Sequence, residues 1–308
     1  MRPQPIHLSS GNLLADRRYE WACDREAKGD LAAAADLLTQ ALELAPAYAS
    51  AWFALGEVQE RLGRRDAAIA AFEKARAADP QDRHGAGLHL IRLGARPAAA
   101  MPPSYVRALF DGYAPGFDAA LTERLGYRAP ELLLRAIEKA HTGERMKFGA
   151  VLDLGCGTGL AGAVLRPFAD WLVGVDLSPA MLARARAKGL YDRLIEIDLT
   201  RFLADEVAIE AHYHLIVAAD VFVYLDNLAP VLEAIALVLA PAGLLAFSVE
   251  THDGDGVILR DTLRYAHGAA HVRTAVAAAG LNVIGLDSAS TRTEKSTPVP
   301  GLIVVAGH

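Results

Sequence analysis

VLDLGCGTGLAG, residues 151–162, places four glycines in twelve positions between an apolar run and a helical pattern. Two registers compete for it. Read from Gly157, the stretch is the G-x-G-x-x-G fingerprint of dinucleotide sites. Read from Asp153, it is Asp-x-Gly-x-Gly-x-Gly, in which Gly155, Gly157 and Gly159 form the loop and Gly162 is a close-packing position inside the following helix. Asp153 decides between them. A dinucleotide would bring a pyrophosphate to the helix N-terminus, where an adjacent carboxylate repels it. The acid therefore favours a cofactor that carries positive charge.

Apolar runs flank the loop at regular intervals: residues 150–155, 171–178, 193–199, 214–221, 243–250, 281–289 and 301–308. Helical stretches separate the first five, whereas a short polar loop, STRTEKSTPVP, joins the last two and suits an antiparallel pair. This pattern predicts an α/β doubly wound sheet of seven strands, five parallel plus an antiparallel terminal pair. With the glycine loop after the first strand and acids at the ends of the next two, Asp176 and Asp198, the segment resembles the Rossmann-like class I S-adenosylmethionine-dependent methyltransferases.

The resemblance implies a cofactor, S-adenosylmethionine, leaving S-adenosylhomocysteine as product. It assigns Asp153, Gly155, Cys156, Gly157 and Gly159 to the cofactor loop, Asp176 to the ribose hydroxyls, and Asp198 with the Leu199 amide to the adenine edge. Leu177 and Met181 pack around the adenine or in the core. Cys156 is a small residue required by space rather than a nucleophile. An acid after strand 2 also occurs at NAD sites, so an NAD-dependent enzyme is the competing reading.

Acceptor chemistry is expected after strand 4, in AADVFVYLDNL, where Asp220 can orient a substrate or the cofactor and Phe222 and Tyr224 can wall a pocket. The Asn/Asp-Pro-Pro-Tyr pattern and a Pro-Cys nucleophile are both missing, which argues against nucleobase methylation. SYVRALFDGYAPGFDAAL, before strand 1, resembles the helical lid of small-molecule methyltransferases, with Tyr105, Phe110, Tyr113 and Phe117 as its aromatics. Tyr113 can reach the methionine carboxylate, and Tyr127 is a candidate pocket wall. In RDTLRYAHGAAHVRTAVAAAGL, Arg264 can hold an acidic substrate, and His267 is the candidate general base, with Tyr265 beside it. No histidine spacing supports a metal site.

Residues 15–46 laid over 49–80 repeat with a period of 34. Gly29 falls over Gly63, Ala34 over Ala68, Leu38 over Phe72, Ala41 over Ala75 and Pro46 over Pro80. The second copy also carries Trp52-x-x-Leu55-Gly56, so the segment resembles a pair of tetratricopeptide (TPR) repeats. The first copy has Arg18 and Ala22 in place of Trp52 and Gly56, with Trp21 at the leucine position. A helix at about 82–94 is expected to cap the stack. Three segments result: a TPR-like all-α domain, residues 1–97; a linker, 98–103; and a methyltransferase-like domain, 104–308. The repeats suit a protein partner or self-association.

Composition limits the alternatives. The 308 residues carry a net charge of -6 and show no cationic patch, which argues against nucleic acid and anionic membranes as partners. Cys23 and Cys156 are the only cysteines, which fits a reducing compartment, by default the cytoplasm. The N-terminus lacks an apolar signal core, and Glu233 and Pro241 interrupt the most apolar later run. The expected reaction is methyl transfer to an O, N or C atom of a small molecule. A protein methyltransferase whose repeats dock the substrate, and a TPR scaffold with a cofactor-sensing domain, are the alternatives.

Overall fold

Side-chain caps start the first helices where the sequence turns from polar to apolar. Asn12 accepts from the Leu14 and Ala15 amides to open α1 (Leu13–Ala27), and Asp30 accepts from Ala33 to open α2 (Leu31–Leu44). α3 (Ala49–Arg61) and α4 (Arg65–Ala78) repeat the pair. The computed structural model describes residues 8–121, 125–143, 145–294 and 296–308. Gly29 and Gly63 turn each pair with φ of +80° and +73°, values that favour glycine. The repeating positions within the helices are buried: Ala34, Ala68, Leu38, Phe72, Ala41 and Ala75.

A volume exchange distinguishes the copies. A Cβ at Gly56 would lie 2.5 Å from the Phe72 ring, so the glycine on α3 makes room for the larger side chain on α4. The first copy uses Ala22 and Leu38 at those positions. Trp21 does not take the leucine role: it is 52% exposed where Leu55 is 8% exposed. α5 (Ala86–Arg92) caps the stack, with Ala86 and Leu90 against Ala68, Phe72 and Ala75.

The chain divides into two compact units between Gly112 and Tyr113, later than the 103/104 junction expected from composition. The reason lies in α6 (Pro103–Tyr113), where Ser104 donates to the Gln81 carbonyl and the Tyr105 ring covers Gly85. Tyr105, expected in a lid, thus packs within the repeat unit.

The second unit begins with a 3-10 turn at 114–116, α7 (Phe117–Ala119) and α8 (Ala129–Ala140). Strands and helices then alternate: β1 (Phe148–Leu154), α9 (Leu160–Leu165), β2 (Ala169–Asp176), α10 (Pro179–Lys188), β3 (Arg193–Glu196), α11 (Leu199–Ala208), β4 (Tyr213–Ala218), α12 (Ala229–Val238) and β5 (Leu239–Glu250). A short hairpin follows, β6 (Val257–Leu259) and β7 (Tyr265–His267), then α13 (Ala269–Ala278), β8 (Asn282–Ser288), the two-residue strands β9 (Thr293–Glu294) and β10 (Thr297–Pro298), and β11 (Gly301–Gly307). The main sheet runs β3-β2-β1-β4-β5-β11-β8. β11 is antiparallel to both neighbours, and β7 attaches beside the end of β5.

All seven expected strands form. The additions are β9 and β10, in the stretch read from sequence as a short polar loop, and β6 and β7, in a stretch to which the sequence assigned no element. Along β1, period-two alternation sends Leu152 and Leu154 into the core with Phe202, Leu232 and Val272, and Val151 into the opposite core with Leu133, Ile137 and Leu165. Strand order reverses between β1 and β4, so the cleft outside their carboxyl ends is where a sheet of this kind binds ligands.

Gly162 behaves as read. A Cβ there would overlap the Tyr191 hydroxyl, which donates to Asp153 Oδ2 at 2.7 Å. Gly162→Ala is therefore expected to cost about 1–3 kcal/mol of stability through overpacking, measured by urea unfolding. An unchanged midpoint would refute the close approach.

Candidate active site

The glycine loop is held open by its backbone. Gly155, Gly157 and Gly159 have φ of +64°, +54° and +88°, all in the left-handed region. Cys156 donates its amide to the Val175 carbonyl at 2.9 Å, tying the loop to β2. Asp176 organises it further, accepting from the Gly157 amide on Oδ2 and from the Ser178 amide on Oδ1, each at 2.8 Å. At Gly155 a Cβ would meet Val221 at 2.5 Å, whereas at Gly157 it would meet nothing nearer than Phe117 at 4.0 Å. The bare side of Gly157 thus borders open space. Thr158 donates to Asp118, which also pairs with Lys188 at 2.8 Å, so the segment after α6 is tied to the loop.

Asp153 lies beneath this loop, 1% exposed, with Oδ1 buried and without a hydrogen-bond partner. Burial, reinforced by the charge of Asp176 and opposed by the Tyr191 hydrogen bond, pushes its pKa up to about 7. Asp198 serves as the N-cap of α11, accepting from the Thr200 and Arg201 amides at 3.0 and 3.3 Å. Leu177 and Leu199 are half-buried, and Met181 has no exposed surface. Cys156 is buried, which raises its thiol pKa well above the ordinary value.

A second cluster stands at the ends of β4 and β5. Asp220 has φ +55°, an uncommon conformation for a residue with a Cβ, and is locked there from several sides. Its amide donates to Ser248 Oγ at 2.8 Å, the same hydroxyl donates back to Oδ1 at 2.7 Å, and Thr291 donates to Oδ2 at 3.0 Å. Arg292 donates to Glu250 at 2.7 Å. Arg264 stacks over the Tyr224 ring at 5.5 Å. Burial raises the Tyr113 and Tyr127 pKa values; the fields of Arg264 and Arg292 reach both phenols, and those of Asp153 and Asp220 reach Tyr127. Tyr127 therefore lies in the field of both the glycine-loop acid and this cluster.

Of the expected acceptor-side residues, Asp220, Tyr127, Tyr224 and Arg264 come together here, with Tyr113, expected at the cofactor's carboxylate, in the fields of the same arginines. His267, Tyr265 and Phe222 do not join its open side. Each is at most 1% exposed, and Phe222 packs on Phe247 at 5.0 Å between ring centres. His267 sits in β7 with both ring nitrogens enclosed, and burial lowers its pKa to about 4. A depressed histidine pKa contributes stability that is present above the unfolded value, about 6.5, and lost as pH falls toward 4. His267→Leu is accordingly expected to move acid unfolding to lower pH, followed by circular dichroism; an unmoved midpoint would count against an enclosed neutral ring. Sequence reading missed Tyr191, Glu250, Thr291 and Arg292, which have no local motif.

This chain carries a methyltransferase domain, matched over residues 152–245, behind N-terminal tetratricopeptide repeats, matched over residues 19–83. The domain implies S-adenosylmethionine as cofactor. The chain is 40% identical over 112 residues to human Methyltransferase-like protein 27, covering 36% of this chain and 45% of that protein. It is 34% identical over 101 residues to malonyl-[acyl-carrier protein] O-methyltransferase of Priestia megaterium, covering 32% of this chain and 36% of that protein. The matched stretch thus spans less than half the length of either relative. A solved Haloferax volcanii complex of a methyltransferase with the Trm112 methyltransferase activator shares the fold: 22% identity, TM-score 0.50, 64% of this chain and 96% of that one. Among the described residues no helix is long and apolar enough to cross a membrane, and no group of histidine, cysteine, aspartate and glutamate side chains is arranged to hold a metal ion.

Proposed function

We propose that the chain transfers the methyl group of S-adenosylmethionine to an O, N or C atom of a small-molecule acceptor, in a reducing compartment such as the cytoplasm. The observation that carries this reading is Asp153: a buried carboxylate with one oxygen unpartnered, beside a glycine backbone that faces open space. A buried acid in that state is stabilised by an incoming cation, and the amino group of the cofactor provides one. In this reading Asp153 holds that amino group, Asp176 meets the ribose hydroxyls as well as shaping the loop, Asp198 and Leu199 border the adenine, and Tyr113 meets the carboxylate end. When bound, S-adenosylmethionine supplies an electrophilic methyl group on a sulfonium. The protein's task is then to align an acceptor with it and exclude water. Asp220, Tyr127, Tyr224 and Arg264 border the acceptor, and His267 is given no proton to move.

Titration calorimetry with S-adenosylhomocysteine and with NAD tests the proposal. S-Adenosylhomocysteine binding alone is expected, and NAD binding without it would overturn the reading. The repeat match favours a second reading, in which the repeats dock a protein substrate. Tritium from methyl-labelled cofactor, incubated with a whole-cell extract, separates the two: label in a filtrate compound other than the cofactor, absent without the chain, supports a small acceptor, and label retained with protein supports the second.

A further inference from the structure

The cluster beyond the glycine loop has more positive than negative charge at close range. Glu250, 3% exposed, is approached by three guanidinium groups: Arg292 Nη2 at 2.7 Å and Arg264 Nη1 at 3.5 Å from Oε1, and Arg260 Nη1 at 3.6 Å from Oε2. A single carboxylate cannot balance three cations. Asp220 is the second acid, with Oδ2 at 3.8 Å from Arg292 Nη1. Among the described residues, three arginines and two acids stand within ion-pair distance of one another here. The fields of Glu294 and Asp153 reach the neighbouring phenols as well.

Two further features show where an additional anion would be welcome. Arg292 is 6% exposed, yet its Nη1 is buried without a hydrogen-bond partner, a costly state for a charged donor. Arg264 keeps 25% of its side chain exposed while stacked on Tyr224. The neighbouring phenol of Tyr127 keeps its proton, because burial raises its pKa, and so offers a donor. Guanidinium groups and a phenol together suit a carboxylate.

We propose that the methyl acceptor is a small molecule bearing a carboxylate, and that Arg264 and Arg292 anchor this group while the methyl goes to a different atom. The assignment rests on the methyltransferase reading and names its substrate class. The anchored group is not itself the nucleophile: attack on a sulfonium discharges the attacking anion, so an arginine clamp on that oxygen would stabilise the ground state more than the transition state. The acceptor atom supplies the electron pair for the new bond to the methyl carbon. The bond from carbon to sulfur breaks with its pair passing to sulfur, and any proton on the acceptor atom passes to water. The anchored carboxylate survives the reaction, so the product remains an anion.

The test incubates the full chain with methyl-tritiated S-adenosylmethionine and the low-molecular-mass extract of its source cells, then passes the labelled product over an anion exchanger at pH 7. Retention that survives phosphatase treatment is expected. Labelled product, as distinct from unreacted cofactor, in the flow-through, or retention abolished by phosphatase, overturns the carboxylate assignment. No transfer to any small molecule, despite S-adenosylhomocysteine binding, overturns the small-acceptor reading beneath it. Arg264→Gln is expected to raise the extract concentration giving half-maximal label at least ten-fold, with partial recovery in Arg264→Lys and unchanged S-adenosylhomocysteine affinity. An Arg264→Gln protein with the wild-type concentration dependence would also overturn the anchor.

Discussion

Without cofactor at pH 8, an Asp153→Asn protein is expected to melt above the wild type, although it binds S-adenosylhomocysteine roughly thirty-fold more weakly, the loss of about 2 kcal/mol set by one charged hydrogen bond. Burial and the nearby Asp176 hold the Asp153 pKa at about 7, above the value an aspartate has in the unfolded chain. A raised folded-state pKa contributes stability that is complete below the unfolded value and lost as pH rises through the folded one. The wild type should lose about 1.4 kcal/mol per pH unit from this group between roughly pH 4 and pH 7. Asparagine carries no charge and escapes that loss. Thermal melts from pH 4 to pH 9 should therefore diverge up to about pH 7 and run parallel above it. Saturating S-adenosylhomocysteine should flatten the wild-type curve, because its ammonium group offsets the carboxylate. Curves that stay parallel throughout would sink the assignment of a buried, cation-seeking acid.

The second large effect is expected at Glu250. Glu250→Gln leaves Arg260, Arg264 and Arg292 facing one another in a largely buried setting, and removing one partner of a buried ion pair costs about 3–5 kcal/mol. Urea unfolding should show a loss of that size. Sodium acetate should restore more of it than sodium chloride at equal ionic strength, since a carboxylate can re-enter the arginine cluster. A loss below about 1 kcal/mol would mean that the arginines relax into solvent and that the cluster is not held as described.

The glycine loop, the seven strands and the repeat period were legible because each is local. Asp153 and Gly162 could be read from their offsets within one strand-loop-helix unit. Asp220, Tyr127, Tyr224 and Arg264 were legible one by one, but their partners Glu250, Thr291 and Arg292 were not, because topology assembles the cluster. β11 inserts in reverse between β5 and β8, which returns the connection before it to the ends of β4 and β5. Thr291 and Arg292 thereby meet Asp220 and Glu250 across 71 and 42 positions of sequence. In the sequence they were part of a short polar loop. His267 failed for a related reason: its place before a helix suggested access, but the β6 and β7 hairpin sets it beside β5 and encloses it. Asp198 shows how one residue serves two readings, since an acid at a strand end is also the natural cap of the next helix.

The exchange of volume between the two repeats bears on how their number is inherited. Recombination between the 29–30 and 63–64 turns would join α1 to α4 or α3 to α2. The first product sets Ala22 opposite Phe72, a side chain that only a glycine accommodates here, and the second sets Gly56 opposite Leu38 and leaves a void. Despite their shared period, the copies are matched within pairs and not between them. Unequal crossing-over that adds or removes a repeat at these turns would thus be penalised in the folded protein itself.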